Sequence, residues 1–152
     1  MKKTVSLAFV PTLLTLLMLV ASVRATVDPL QQEIVTTITL DAEPQCIAVN
    51  EQTNRVYVGV EDGLIIIDGE TDTVTAEILP DVEVVALAVN PQTNRIYAAD
   101  YGDNIFVIDG ATNQQVVEMP ERIHNQYEIS VNPVTNLVHI ADRMVTWAIM
   151  IA

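Results

Sequence analysis

Short apolar segments alternate with polar turns along most of this chain. In the clearest stretch, four such segments of four to seven residues follow one another, which is the length of strands rather than helices: residues 45–49, 55–60, 64–67 and 73–79. The third segment, LIII, is apolar throughout, which predicts a strand covered on both faces. The fourth alternates apolar and polar residues, which predicts an outer edge strand that meets solvent on one side.

The whole pattern recurs, and its period identifies the architecture. The strings AVNEQTNRVY, AVNPQTNRIY and SVNPVTNLVH align on Asn50, Asn90 and Asn132, at spacings of 40 and 42 residues. Four antiparallel strands in about forty residues is the period of one β-propeller blade. We therefore predict an all-β fold of about three four-stranded antiparallel repeats, a partial or oligomer-completed propeller.

The recurring polar residues have the chemistry of turns. Asn90 can bond the backbone two residues on, Pro91 presets a turn dihedral, and Asn94 tolerates the left-handed conformation. Asp62-Gly63 predicts a tight hairpin, and Asp68-Gly69 predicts a turn in which glycine takes a positive φ. Because the asparagines recur at the first turn of every unit, we interpret them as structural rather than ligand-binding.

These motifs resemble those of the YVTN family of β-propeller repeats. The match consists of VNEQTNRVYV with IIDGET and VNPQTNRIYA with VIDGAT, and it extends over about residues 34–152. The resemblance implies a propeller, often of seven blades, in exported or cell-surface proteins that are mostly binding modules, although some related propellers belong to quinoprotein dehydrogenases. The third unit departs from the pattern at Leu137, at His139 and at Ile151-Ala152, which stand in place of Arg, Tyr and Asp-Gly.

The N-terminal segment predicts export. Two lysines precede an apolar run from Val5 to Val20, and small residues follow up to Ala25, which is the layout of a secretory signal peptide. An uncleaved anchor remains the alternative. The predicted localisation is secreted or cell surface, or periplasmic in a cell with an outer membrane.

The predicted organisation is a series of consecutive segments. In order they are a signal peptide (1–25), a short linker (26–32) and YVTN-like propeller repeats (33–152), the last divided into a lone strand (33–40), repeat 1 (44–79), repeat 2 (84–119) and an incomplete repeat 3 (127–152).

The strand count leaves the assembly open. One, four, four and three predicted strands make twelve, or three blades, whereas closed propellers have about four to eight. The alternatives are a fragment of a longer product, an open arc, or two copies that complete a six-bladed ring. We favour the fragment or the arc. Exposed apolar blade faces would then promote self-association.

The charge excludes one class of partner. Without residues 1–25 the chain has 20 acidic residues and four arginines, a net charge near −16. Such a surface repels phosphate backbones, so we predict no nucleic-acid binding.

Four residues are candidates for nucleophilic or base chemistry, and none is assigned a role. Cys46 is the only cysteine and fits a small slot in a strand. Ser130 occupies the slot of two alanines, so packing explains it, and His139 occupies the slot of two tyrosines, which predicts a packed ring. His124 lies in a predicted loop, where a single histidine is usually solvated.

Calcium is the one metal ion for which the sequence suggests a candidate site. Asp68, Glu70 and Asp72 alternate as the first ligands of an EF-hand loop do, but Thr73 and Leu79 replace the required Gly and Glu. A calcium site at Asp100, Asp103 or the DGETD turn remains an alternative. We assign no catalytic, cofactor-binding or metal residue and predict no cofactor.

The resulting functional hypothesis is an exported, non-enzymatic propeller module that binds protein or glycan at the cell surface, or associates with itself. No membrane contact is predicted apart from the signal segment. The alternative is a fragment or subunit of a periplasmic, quinoprotein-like oxidoreductase.

Overall fold

The computed structural model covers most of the repeat region. It describes residues 33–102, 104–120, 126–142 and 146–147. The chain divides into a unit of residues 1–35 and a unit of residues 36–152, and every described strand belongs to the second unit. The described ranges include no helix of the length and apolarity needed to cross a membrane. The predicted signal peptide (1–25) and linker (26–32) lie outside the described residues.

The described strands are antiparallel and form three sheets. The strands are β1 (Pro44–Asn50), β2 (Arg55–Val60), β3 (Gly63–Asp68), β4 (Thr73–Ile78), β5 (Val84–Asn90), β6 (Arg95–Asp100), β7 (Asn104–Asp109), β8 (Gln114–Pro120), β9 (Gln126–Asn132), β10 (Leu137–Asp142) and β11 (Thr146–Trp147). Sheet 1 contains β1 to β4, sheet 2 contains β5 to β8, and sheet 3 contains β9 to β11. Strands that are consecutive in the chain are neighbours in each sheet, so every sheet is a meander.

The sheets stack face to face in chain order. The first strand of sheet 2 contacts the first strands of sheets 1 and 3. We call the side of a sheet that is directed toward the next sheet its forward face and the opposite side its rear face. Tyr57, Leu64 and Ile66 of sheet 1 pack against Leu87 and other rear-face residues of sheet 2. The forward face of sheet 2 packs in the same way against the rear face of sheet 3.

Burial along the strands follows the predicted pattern. Leu64 to Ile67 in β3 and Ile105 to Ile108 in β7 are all buried. These strands are covered on both faces, which explains why they lack polar alternation. In β4 most residues are exposed, and Val74 is 41% exposed. The fourth strand is therefore the solvent-facing edge that the sequence predicted.

The first turn of each unit uses an asparagine, and not a glycine, for the left-handed backbone conformation. Asn54, Asn94 and Asn136 have φ values of 52°, 52° and 55°, which confirms the prediction for Asn94. No described glycine has a positive φ, so the prediction for Gly69 was wrong. A Cβ on Gly69 would lie 2.9 Å from the Asn54 carbonyl oxygen, so close approach of two turns is what requires glycine there.

Residues 33–40, predicted as a lone strand, form no strand. Ile38 and Leu40 pack with Ala42 across the rear face of sheet 1, against Val58 and its buried neighbours. The alternating apolar residues of this segment serve packing across a sheet face instead of pairing along a sheet edge. The prediction was wrong because the two uses require the same period of two.

Candidate functional site

The recurring asparagines hold the turns and tie the sheets together. The Oδ1 atom of Asn50 accepts hydrogen bonds from the backbone N–H of Gln52 at 3.1 Å and of Thr53 at 3.4 Å. Its Nδ2 atom donates to Oδ1 of Asn94 in sheet 2 at 2.8 Å. Asn90 repeats this arrangement with sheet 3. Asn50 and Asn90 are buried, so their polar atoms are used internally and do not form a ligand site.

The aspartates of the DG turns are also used by the backbone. Oδ1 of Asp68 accepts from the N–H of Glu70 at 2.9 Å and of Thr71 at 3.1 Å. Asp109 makes the equivalent bonds in sheet 2. These donors favour the ionised form and hold the pKa of both carboxyl groups below the usual value. The alternation that resembled a calcium loop is therefore turn chemistry.

Asp100 is engaged in the same manner. Its Oδ1 atom accepts from the N–H of Gly102 and of Asn104, at 2.9 and 2.7 Å, and its Oδ2 atom accepts from Nδ2 of Asn104 at 2.8 Å. Asp103 lies outside the described residues. Within the described ranges, no group of three or more His, Cys, Asp and Glu side chains is arranged to hold a metal ion.

Cys46 lies at the interface of sheets 1 and 2. Its Sγ atom is 3.5 Å from the Val84 carbonyl oxygen, and the side chain is partly buried. Burial raises the pKa of the thiol to about 11, opposed in part by the backbone N–H of Gly59. A thiol with this pKa is almost wholly protonated at neutral pH and is a poor nucleophile, so the structure supports the packing interpretation.

Two side chains of sheet 3 are exposed where the sequence predicted packed residues. Ser130 and His139 are exposed on its forward face, so the packed-ring and packed-serine predictions were wrong. They are direct cross-strand partners, and Glu128 lies two residues from Ser130 on the same face. The tyrosine that corresponds to His139 in sheet 1, Tyr57, is fully buried.

The side chains of Glu128, Ser130 and His139 resemble a catalytic triad in composition only. No hydrogen bond joins them among the described contacts, and they lie on an open sheet face whose backbone N–H groups are used in strand pairing. A triad requires hydrogen-bonded partners and free donors for an oxyanion. Sequence reasoning missed this grouping because it depends on strand register. His124, the loop candidate, lies outside the described residues.

An acidic cleft of about 410 Å³ lies at one end of sheet 1. It lies between the hairpin of β2 and β3, the end of β4, and the segment before β1. Carboxylates line it together with apolar side chains and no basic residue: Asp41, Ala42, Val60, Asp62, Gly63, Leu64, Ile65, Glu77, Ile78, Pro80 and Asp81. An apolar floor with a carboxylate rim suits a cationic ligand. No motif in the sequence indicates this cleft, because its residues come from three separated segments.

Solved structures resemble this chain in fold. Hydrazine synthase of Kuenenia stuttgartiensis is 20% identical over 77% of this chain and 34% of its own, with a TM-score of 0.62. The WD40 repeats of RRP9 are 12% identical over 68% of this chain and 33% of theirs, with a TM-score of 0.62. The β-propeller domain of Cps50 (Swd1) from Myceliophteria thermophila is 19% identical over 72% of this chain and 35% of its own, with a TM-score of 0.63.

The sheets are β-propeller blades. This conclusion rests on the three meander sheets stacked in chain order together with the propeller neighbours. The chain spans about a third of the length of the solved chains that it matches. No protein-family model matches the sequence, and no curated protein matches it. The likeness to solved structures therefore establishes the blade fold alone.

Proposed function

We propose that this chain is an exported, non-enzymatic β-propeller module that binds a protein at the cell surface through the acidic cleft of sheet 1. The cleft carries the proposal, because Asp41, Asp62, Glu77 and Asp81 rim it without a basic counter-charge among the lining residues. A basic protein segment fits this charge better than a neutral glycan does. The repeated polar side chains elsewhere are already used by turns and blade contacts, which supports a scaffold rather than an enzyme.

Titration with short peptides tests the cleft. We expect a lysine-rich peptide to bind in low salt, and a glutamate-rich peptide of equal length not to bind. Asp62→Asn and Asp81→Asn should each weaken binding about threefold, and 0.5 M salt should weaken it further, because exposed charge pairs contribute about 0.2–1 kcal/mol and are screened. The measurement is isothermal titration calorimetry.

A matched variant distinguishes peptide binding in the cleft from attraction by the overall net charge. Asp72 and Asp81 are both exposed and both have a positive φ, of 54° and 64°, which asparagine tolerates. Asp72 is absent from the cleft lining, so Asp72→Asn should leave peptide binding unchanged. Equal weakening by the two substitutions would mean that overall charge attracts the peptide and would overturn the cleft assignment. Binding of a neutral oligosaccharide that both variants retain would favour the glycan instead.

Export has its own test. We expect the chain, expressed with its native N-terminus in a bacterial host, to be recovered outside the cytoplasm and to begin near residue 26 by mass spectrometry. The full-length mass in the membrane fraction would indicate a retained anchor, and a cytoplasmic product would contradict export. Recovery with a visible-absorbing quinone bound would favour the alternative, a piece of a propeller-type oxidoreductase.

A further inference from the structure

Tyr101 is an exposed aromatic side chain in the turn that follows β6. It is 71% exposed, whereas Tyr57 and Tyr97 are buried between sheets. The equivalent position in sheet 1 holds Glu61, so this turn does not require an aromatic ring. Tyrosine is enriched at protein-binding surfaces, where its ring supplies a large contact area. Tyr101 is therefore a candidate contact for a partner rather than a packing residue.

The backbone places Tyr101 beside the acidic cleft. Its N–H group donates to the carbonyl oxygen of Glu83 at 3.3 Å. Glu83 lies two residues after Asp81, which lines the cleft, on the connection from sheet 1 to sheet 2. These links put the Cα atoms of Tyr101 and Asp81 within about 15 Å of each other, a distance that an extended chain of about five residues spans. One short segment can therefore contact both.

Hydrogen bonds hold the turn that carries Tyr101. The Oδ1 atom of Asp100 accepts from the N–H groups of Gly102 at 2.9 Å and of Asn104 at 2.7 Å. The Glu83 carbonyl oxygen holds the N–H of Tyr101 itself. The backbone under the ring is thus ordered before any ligand binds. A ligand has little to immobilise apart from the tyrosine side chain, which favours binding.

The charges near Tyr101 favour a cation. Asp100 precedes it in the chain, and the exposed residue Glu83 adjoins it in space. Arg55 and Arg95 begin β2 and β6, at the ends of these strands that are remote from the cleft and from Tyr101, and both are bonded within the blades. The face of an aromatic ring attracts a cation, and nearby carboxylates add to that attraction.

We propose that the partner of the acidic cleft is an arginine-bearing extended segment of a basic protein, and that Tyr101 receives one of its arginine side chains. This inference rests on the proposed function and adds a second contact to it. Lysine and arginine can both neutralise the carboxylates of the cleft. The planar, weakly hydrated guanidinium of arginine stacks better on an aromatic face than the lysine ammonium does. Tyr101 is therefore a specificity-determining residue, which sets a preference for arginine over lysine.

Calorimetric titration of the full chain with two peptides of equal length and charge, one arginine-rich and one lysine-rich, tests the preference. We expect the arginine-rich peptide to bind about threefold more tightly. Tyr101→Leu should lower its affinity to that of the lysine-rich peptide. Tyr101→Phe should keep the preference, because phenylalanine retains the aromatic face. Val134→Ala is the control, since Val134 is 83% exposed in the first turn of sheet 3, and it should change neither affinity.

The outcomes separate this inference from the proposed function. A preference for arginine that Tyr101→Leu retains would belong to the carboxylates and would overturn the role of Tyr101. Equal binding of the two peptides, weakened by Asp81→Asn, would also overturn that role and would leave the cleft assignment intact. Binding of neither peptide would overturn the proposed function and this inference with it. Circular dichroism checks that each variant is folded.

The separation of the two contacts supplies an independent test. A peptide in which about four serines separate two lysines from one arginine can contact the cleft and Tyr101 together. We expect it to bind about threefold more tightly than a peptide in which the same basic residues are adjacent and the serines follow them. Tyr101→Leu should abolish the difference. Equal affinity of the two peptides for the unsubstituted protein would contradict a second contact at Tyr101.

Discussion

Asn50→Asp should lower the free energy of unfolding by about 3 kcal/mol at neutral pH, since a buried charge is left facing an acceptor. The substitution is isosteric, and the retained oxygen still accepts from the N–H groups of Gln52 and Thr53. It replaces the Nδ2 donor, which lies 2.8 Å from Oδ1 of Asn94, by a second oxygen. Asn50 is 0% exposed, so water cannot solvate the new carboxylate. Urea denaturation measures the loss.

The chain provides a matched control for this substitution. Asn132 holds the equivalent turn in sheet 3 but is exposed, so Asn132→Asp should change stability by no more than about 0.5 kcal/mol. A pH series adds a second readout. The buried Asp at position 50 should have a raised folded-state pKa, so its penalty should shrink as pH falls and the protonated carboxyl donates to Asn94. Equal losses at positions 50 and 132 would show that the bond between sheets contributes nothing.

Gly59→Ala should destabilise the protein by about 2 kcal/mol, although alanine suits a strand better than glycine does. A Cβ at this position would lie 2.5 Å from Sγ of Cys46 and 2.7 Å from both the carbonyl oxygen and the Cγ1 atom of Val84. The sulfur can rotate away, but the carbonyl belongs to the first strand of sheet 2 and moves only if the sheets separate. Thermal unfolding followed by circular dichroism measures the change.

A double variant separates the contact with Cys46 from the contacts with Val84. Cys46→Ala with Gly59→Ala recreates the pair Ala86 and Ala99 that sheet 2 carries at the equivalent positions. We expect it to recover part of the stability that Gly59→Ala loses, relative to Cys46→Ala alone, with the remainder due to the carbonyl oxygen and Cγ1 atom of Val84. A neutral Gly59→Ala would mean that sheets 1 and 2 are not in close contact at this point, contrary to the structure.

The strands and turns were predictable because their causes are local. The apolar run of β3, the alternation of β4 and the left-handed Asn94 each follow from a few adjacent residues. The same local reasoning predicted a strand for residues 33–40 and was wrong, since an alternating extended chain can either pair along an edge or pack across a face. Only its neighbour in space, the rear face of sheet 1, decides between the two.

The candidate sites depended on distant parts of the chain. The acidic cleft combines Asp41, Asp62 and Asp81 from three segments, and no spacing in the sequence links them. Gly69 was assigned a backbone conformation that it does not adopt, because the sequence does not show that the Asn54 carbonyl lies close to it. Ser130 and His139 were assigned to packed slots by alignment with the other two units, whereas both are exposed in the structure.

The sequence by itself determined the repeat, the strand lengths, the turn residues and the all-β fold, since each of these depends on residues a few positions apart. Tertiary structure alone decided which faces meet and which glycines separate two backbones. Contacts between sheets join residues about forty positions apart, such as Asn50 and Asn94, and their energy depends on burial and register. The sequence therefore does not show whether the sheet face that carries His139 is covered, and the structure shows that His139 is exposed.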